Sequence, residues 1–188
     1  STKQMAAKTN EAFGRIDVLV ANAGIYGQLK PQPFENIDLK EWDWVMSVNL
    51  KGPFLSARGV LPYMREQKKG NIIIVSSVFW VVGRLPCMHY AVTKAGEMGM
   101  MRQMAAQLAA DNIRANVFMP GGTWDEATEK FVGHLPPGLE EALINQMQLR
   151  HRKLMPEDLL GGLIFLASDE SDMMTGQALP VDGGICFY

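Results

Sequence analysis

The sequence predicts an α/β fold, a mainly parallel sheet with helices on both faces. Three observations carry that expectation. Four short β-branched runs recur, at residues 16–21, 71–76, 113–119 and 177–181. The first three are almost continuously apolar, which suits parallel strands covered on both sides. Longer stretches of good helix formers lie between them, and alternating strand and helix is the pattern of a parallel sheet with crossover helices.

The elements follow in order. Residues 39–67 have helical character, broken only by Gly52-Pro53 and Pro62. Residues 88–110 are rich in Ala, Met, Leu and Gln, all strong helix formers. Pro156-Glu157-Asp158 ahead of an apolar stretch reads as a helix start, with proline and acids in the first turn.

Composition narrows the function. Of the 188 residues 47% are hydrophobic and 20% charged, the balance of a globular protein. A net charge of −2 gives no field for nucleic acid or anionic lipid. The longest apolar run, 72–82, falls short of the ~20 residues that span a bilayer. The first residues, Ser1-Thr2-Lys3-Gln4, lack a signal peptide's apolar core. Cys87 and Cys186 suggest incidental thiols in a reducing cytoplasm rather than a disulfide framework. His89, His134 and His151 show no metal-ligand spacing and read as surface or loop residues, so no metal is expected.

In open parallel sheets chemistry gathers beyond the carboxyl ends of the strands. At those positions stand Asn22-Ala23-Gly24, Ser77, Pro120-Gly121-Gly122-Thr123 and Asp182-Gly183-Gly184. The strongest local signal is Tyr90-Ala91-Val92-Thr93-Lys94 at a helix start. Residues four apart share a helix face, so phenol and ammonium lie side by side. A cation ~4 Å away at an effective dielectric of ~20 is worth roughly 4 kcal/mol, about three pK units. That would bring a tyrosine toward the range useful for general acid–base catalysis.

The chain contains its own control. Tyr26-Gly27-Gln28-Leu29-Lys30 has the same interval, but Gly27 and Pro31 oppose a helix there. Thirteen residues before Tyr26 stands Phe13, whereas thirteen before Tyr90 stands Ser77. By context, Tyr26 is set aside.

The chain resembles the short-chain dehydrogenase/reductase family, compact single-domain branch. The matching segments are Ala21-Asn22-Ala23-Gly24, Ser47-Val48-Asn49, the run 72–77, Tyr90-x-x-x-Lys94-Ala95-Gly96, the run 112–121 and Thr175-Gly176-Gln177 through Val181-Asp182-Gly183-Gly184. The resemblance implies a Rossmann-like fold and a catalytic set of Asn49, Ser77, Tyr90 and Lys94. Tyr90 would be the general acid or base. Lys94 would depress its pKa and bond the nicotinamide ribose, Ser77 would hold the substrate oxygen, and Asn49 would anchor a water for proton relay. Asn22, Ala23, Gly24, Tyr90, Lys94, Pro120, Gly121 and Thr123 would border the cofactor, NAD or NADP.

Three departures qualify the match, one of them Trp80, which stands where the family often has a small residue three after the catalytic serine. No glycine-rich pyrophosphate turn is present, and residues 2–13 resemble the helix before the family's fourth strand. Residues 1–188 are therefore expected to form a single domain, the C-terminal catalytic portion of the fold. N-terminal strands 1–3, roughly 60 residues, would be absent. The strand at 16–21 would then be an edge, and either a longer protein or another chain would cover it. Glu97 also stands on the face of Tyr90 and Lys94, where an apolar residue is common; pairing with Lys94 would weaken the lysine's pull on Tyr90, but Glu97 is expected to face solvent or a partner subunit.

The implied function is hydride transfer between a nicotinamide cofactor and a secondary alcohol or ketone. The alternative is a cofactor-deficient remnant serving as a structural or interaction subunit. The resemblance assigns substrate choice to residues 123–150 with Phe79, Trp80, Val81 and Val82, whose aromatics favour a small apolar or cyclic alcohol or ketone. The resemblance implies a homo-oligomer, a dimer or D₂ tetramer, paired through the helices at 52–67 and 88–110.

Overall fold

The computed structural model describes residues 1–83, 85–135, 138–145, 149 and 151–187. In chain order the elements are α1 (Thr2–Phe13), β1 (Val18–Ala21), α2 (Leu39–Val45), α3 (Lys51–Gln67), β2 (Gly70–Val75), α4 (Phe79–Val82), α5 (Met88–Leu108), β3 (Ile113–Pro120), α6 (Glu126–Val132), α7 (Leu139–Asn145), α8 (Pro156–Ala167) and β4 (Ala178–Val181). The strands form one sheet in the order β1-β2-β3-β4, every pair parallel.

The near-continuous apolar runs are explained by cover on both faces. Ile72 and Ile74 of β2 and Ala115, Val117 and Met119 of β3 join Ala57, Val60 and Met64 of α3 and Met101 and Ala105 of α5 in one core. Ile73 and Phe118 point the other way, onto Leu166 of α8. This alternation is the period-2 geometry of strands, applied to residues that are apolar on both sides. Each fully buried isoleucine contributes about 2–3 kcal/mol of transfer free energy. At the edge the cover ends: β1 has a neighbour on one side only, and Val20 is 39% exposed.

The two breaks expected in 39–67 do not occur. Gly52-Pro53 stands just after a π turn in a helical run that continues unbroken from Leu39 to Gln67, so it does not end the helix. Pro62 lies inside α3 without ending the helix. The irregularity comes earlier, as a single π-helical turn at Met46–Leu50 that contains Asn49.

The sequence motifs of the last strands register them. The Asn116 amide donates to the Met174 carbonyl at 2.6 Å, and its oxygen accepts from the Gln177 N–H at 3.0 Å. Asp182 accepts from the N–H groups of Gly184 and Cys186, both at 2.8 Å. Gly121 is required by packing, since a Cβ there would sit 2.7 Å from Asp182 Cα.

Candidate active site

The carboxyl ends of β1, β2 and β3 open toward the start of α5. Ser76 and Ser77 leave β2 and do different work. The Ser76 hydroxyl donates to the Lys94 carbonyl at 2.8 Å, pinning α5 to the sheet. The Ser77 hydroxyl accepts from the Phe79 N–H at 3.2 Å and lies near enough to the Tyr90 phenol to lower its proton affinity. The structure thus brings together the serine and tyrosine that lie thirteen residues apart in the chain.

Tyr90 is half-buried among aromatic rings. Tyr26 lies 5.1 Å away between ring centroids, and Phe79 meets it edge-on at 6.4 Å. Burial pushes the phenol well above its ordinary value; the nearby Ser77 hydroxyl opposes this, while Glu97 adds to the rise. The expected depression by Lys94 is not realised. The Lys94 ammonium stands 5.7 Å from the Tyr90 ring centroid but is held elsewhere, 2.8 Å from the Val75 carbonyl and 3.0 Å from Glu97 Oε1. Its charge is largely neutralised before it reaches the phenol.

Glu97 corrects a second expectation. Instead of facing solvent or a partner, it is 1% exposed and paired with Lys94, itself 5% exposed. Burial pushes its carboxyl up to about 7, against the opposing pull of Lys94 and the nearby Ser76 hydroxyl. Its second oxygen, Oε2, is buried with no hydrogen-bond partner.

Asn49 is fully buried and grips the loop after β1. Its oxygen accepts from the Ile25 N–H at 2.7 Å and its amide donates to the Ile25 carbonyl at 3.0 Å. These two bonds give it a loop-anchoring role. A water could engage its side chain only through the second amide proton or the second lone pair.

That loop carries a residue that the sequence control set aside. Tyr26 is indeed outside any helix, yet its ring stacks on Phe131 of α6 at 4.5 Å and lies against Phe79 and Tyr90. Its position just past the end of β1 was the available signal, since the strand-end rule alone places it at the site. His89 also departs from expectation. It is fully buried, with Nε2 2.9 Å from Glu41 Oε1. Cys87 is buried and Cys186 half-buried, and no disulfide joins them. No group of His, Cys, Asp and Glu among the described residues could hold a metal ion.

The residues fit the ribose end of a nicotinamide cofactor. Lys94 commits two of its three ammonium donors to Val75 and Glu97, which leaves one for a ribose hydroxyl. At the turn after β3, a Cβ on Gly122 would meet nothing within 4 Å, so room remains there. Asn22, Ala23 and Gly24 are exposed at the end of β1. Pro120 accepts from the Val78 N–H at 3.1 Å, and the Thr123 hydroxyl donates to Gly121 at 3.2 Å. Within the expected substrate segment, Pro136, Pro137, Gln146, Met147, Gln148 and Arg150 lie outside the described residues.

Known proteins point the same way. The family model for enoyl-(acyl carrier protein) reductase matches residues 1–186. A 3-oxoacyl-(acyl-carrier-protein) reductase FabG of Thermotoga maritima is 40% identical over 183 residues, covering 97% of this chain and 71% of that protein. The probable galactose dehydrogenase GalD of Rhizobium meliloti is 35% identical over 176 residues, 92% of this chain and 65% of that protein. The crystal structure of levodione reductase superposes with a TM-score of 0.88 at 33% identity, covering 97% of this chain and 71% of that one. With its parallel sheet and its serine, tyrosine and lysine gathered at one end, this chain belongs to the short-chain dehydrogenase/reductase family of nicotinamide-dependent oxidoreductases.

Proposed function

We propose that residues 1–188 act as one catalytic unit that interconverts a secondary alcohol and its ketone, with Tyr90 as general acid/base. The observation that carries this reading is the meeting of the Ser77 and Tyr90 side chains at the sheet's carboxyl edge, with Lys94 one turn along α5. Two hydroxyls converging on one point can hold a carbonyl oxygen or take up an alcohol proton. When bound, NAD(H) or NADP(H) accepts or supplies the hydride. Ser77 positions the substrate oxygen, Tyr90 carries its proton, and Lys94 uses its remaining donor on the ribose. Asn49 keeps the loop after β1 in place through Ile25.

The rings of Tyr26, Phe79 and Phe131 beside Tyr90 favour a small apolar or cyclic substrate. The relatives carry names as different as galactose dehydrogenase and 3-oxoacyl-(acyl-carrier-protein) reductase, so the shared fold does not choose the substrate. The absence of a disulfide between Cys87 and Cys186 agrees with a cytoplasmic location, and no helix among the described residues is long and apolar enough to cross a membrane.

Tyr90→Phe tests the assignment. Turnover should fall by roughly 10²–10⁴-fold, the usual contribution of a positioned acid–base group, while far-UV circular dichroism stays unchanged. Undiminished turnover in a folded Y90F variant would remove Tyr90 from the mechanism. Cofactor titration separates the enzyme from the structural-subunit alternative: the enzyme binds NAD(H) or NADP(H), the subunit neither.

A further inference from the structure

We propose that Glu97 is a positioning residue that controls the proton affinity of Tyr90 through Lys94. When ionised it holds the Lys94 ammonium against Val75; when neutral it leaves that charge to act on the phenol. The proposal rests on the reading of Tyr90 as the acid/base group.

Three observations meet here. Glu97 lies on the same face of α5 as Tyr90 and Lys94, with Oε1 3.0 Å from the lysine and almost no exposure. Its other oxygen is buried without a partner, an arrangement that packing alone does not call for and that penalises the charged form. The same ammonium donates at 2.8 Å to Val75, the last residue of β2, immediately before Ser76 and Ser77. Lys94 is thus suspended between a strand end and a titratable group, and one proton on Glu97 changes the balance.

The surroundings isolate this pair. On α5 the ionisable neighbours are Lys94 and Tyr90. From the end of β2 come only the Ser76 hydroxyl and the Val75 carbonyl. The turn at Met46–Leu50 and helix α4 contain no ionisable side chain. The one ionisable residue of β3, Arg114, sits at the strand's opposite end, bonded to Ser168 and 3.9 Å from Asp172. Helix α2 brings Glu41, which is engaged with His89. With burial pushing Glu97 up to about 7, its charge changes in the range where the enzyme would work.

Carbon-13 NMR of glutamate-carboxyl-labelled full-length chain, without cofactor, tests the titration directly, with E97Q assigning the signal. A Glu97 resonance that titrates near neutrality, followed at the same midpoint by the Lys94 Nζ nitrogen-15 signal, is the expected result. Titration with the exposed carboxylates near pH 4–5, or a Lys94 signal that ignores it, would overturn the proposal. The second arm is the pH profile of alcohol oxidation. Seven residues of helix separate Glu97 from Tyr90 by ~10 Å, and at an effective dielectric of ~20 loss of the charge moves the phenol by roughly one pH unit. The acid limb of E97Q should therefore shift to lower pH, giving about tenfold faster turnover on that limb with KM unchanged. E97L, which removes the charge without a polar replacement, should shift it the same way and serves if E97Q does not fold. An unmoved limb, or a uniform loss at every pH, makes Glu97 merely structural. If neither protein turns over any alcohol, the acid–base reading fails, and the NMR titration still judges Glu97.

Discussion

A lysine beside a tyrosine is a useful catalytic pair only if its charge is available, and availability here is set by a third side chain. Glu97 and Val75 take up the Lys94 ammonium, so burial dominates the Tyr90 phenol and raises it. The same carboxyl should mark the protein's stability. A folded-state value near 7 against an ordinary 4.5 means that the native state binds the proton more tightly than the unfolded chain. Stability from this group is complete below about pH 4.5 and is lost as pH rises through about 7. Urea midpoints measured from pH 4.5 to 8 should fall more steeply for wild type than for E97Q; parallel curves would contradict that assignment. Asn49 offers a second test at this scale. Asn49→Ala breaks both bonds to Ile25 and leaves a buried N–H and C=O unpaired, at a cost of about 2–4 kcal/mol in urea titration.

Among the elements, the loop after β1 and helix α6 decide what surrounds the site. They meet where a Cβ on Gly27 would lie 2.6 Å from the Ala127 carbonyl oxygen. This contact holds Tyr26 against Phe131. Gly27→Ala should push α6 away, costing about 1–3 kcal/mol of stability and raising KM more than it lowers kcat. Unchanged KM would mean that the aromatic wall does not contact substrate. The legible elements were those with strong local signals. The four strands, α5 and the proline-started α8 fall within one or two residues of the sequence expectation. The π-helical turn at Met46–Leu50 was not legible, because no residue type in Met-Ser-Val-Asn-Leu demands it. Pro62 misled in the opposite direction, reading as a break inside a helix that continues through it.

For the whole molecule the open question is what meets its uncovered surfaces. β1 is an edge strand, and Phe54 of α3 and Met88 and Val92 of α5 are exposed apolar residues on the two helices expected to pair between subunits. Sedimentation should show a dimer or tetramer, and the double variant F54D/V92D should lower that order while keeping its circular dichroism. A wild-type monomer at micromolar concentration would refute the pairing. The sequence by itself determined the fold class, the family and the position of Ser77, Tyr90 and Lys94, because strand hydrophobicity, turn chemistry and helical spacing are local properties. Tertiary structure decided what those groups can do. Glu97 turned inward onto Lys94, Tyr26 returned to the site from a loop, and His89 was buried against Glu41. Each of these depends on distant segments packing together, and on the low-dielectric interior that gives a charge or hydroxyl its proton affinity.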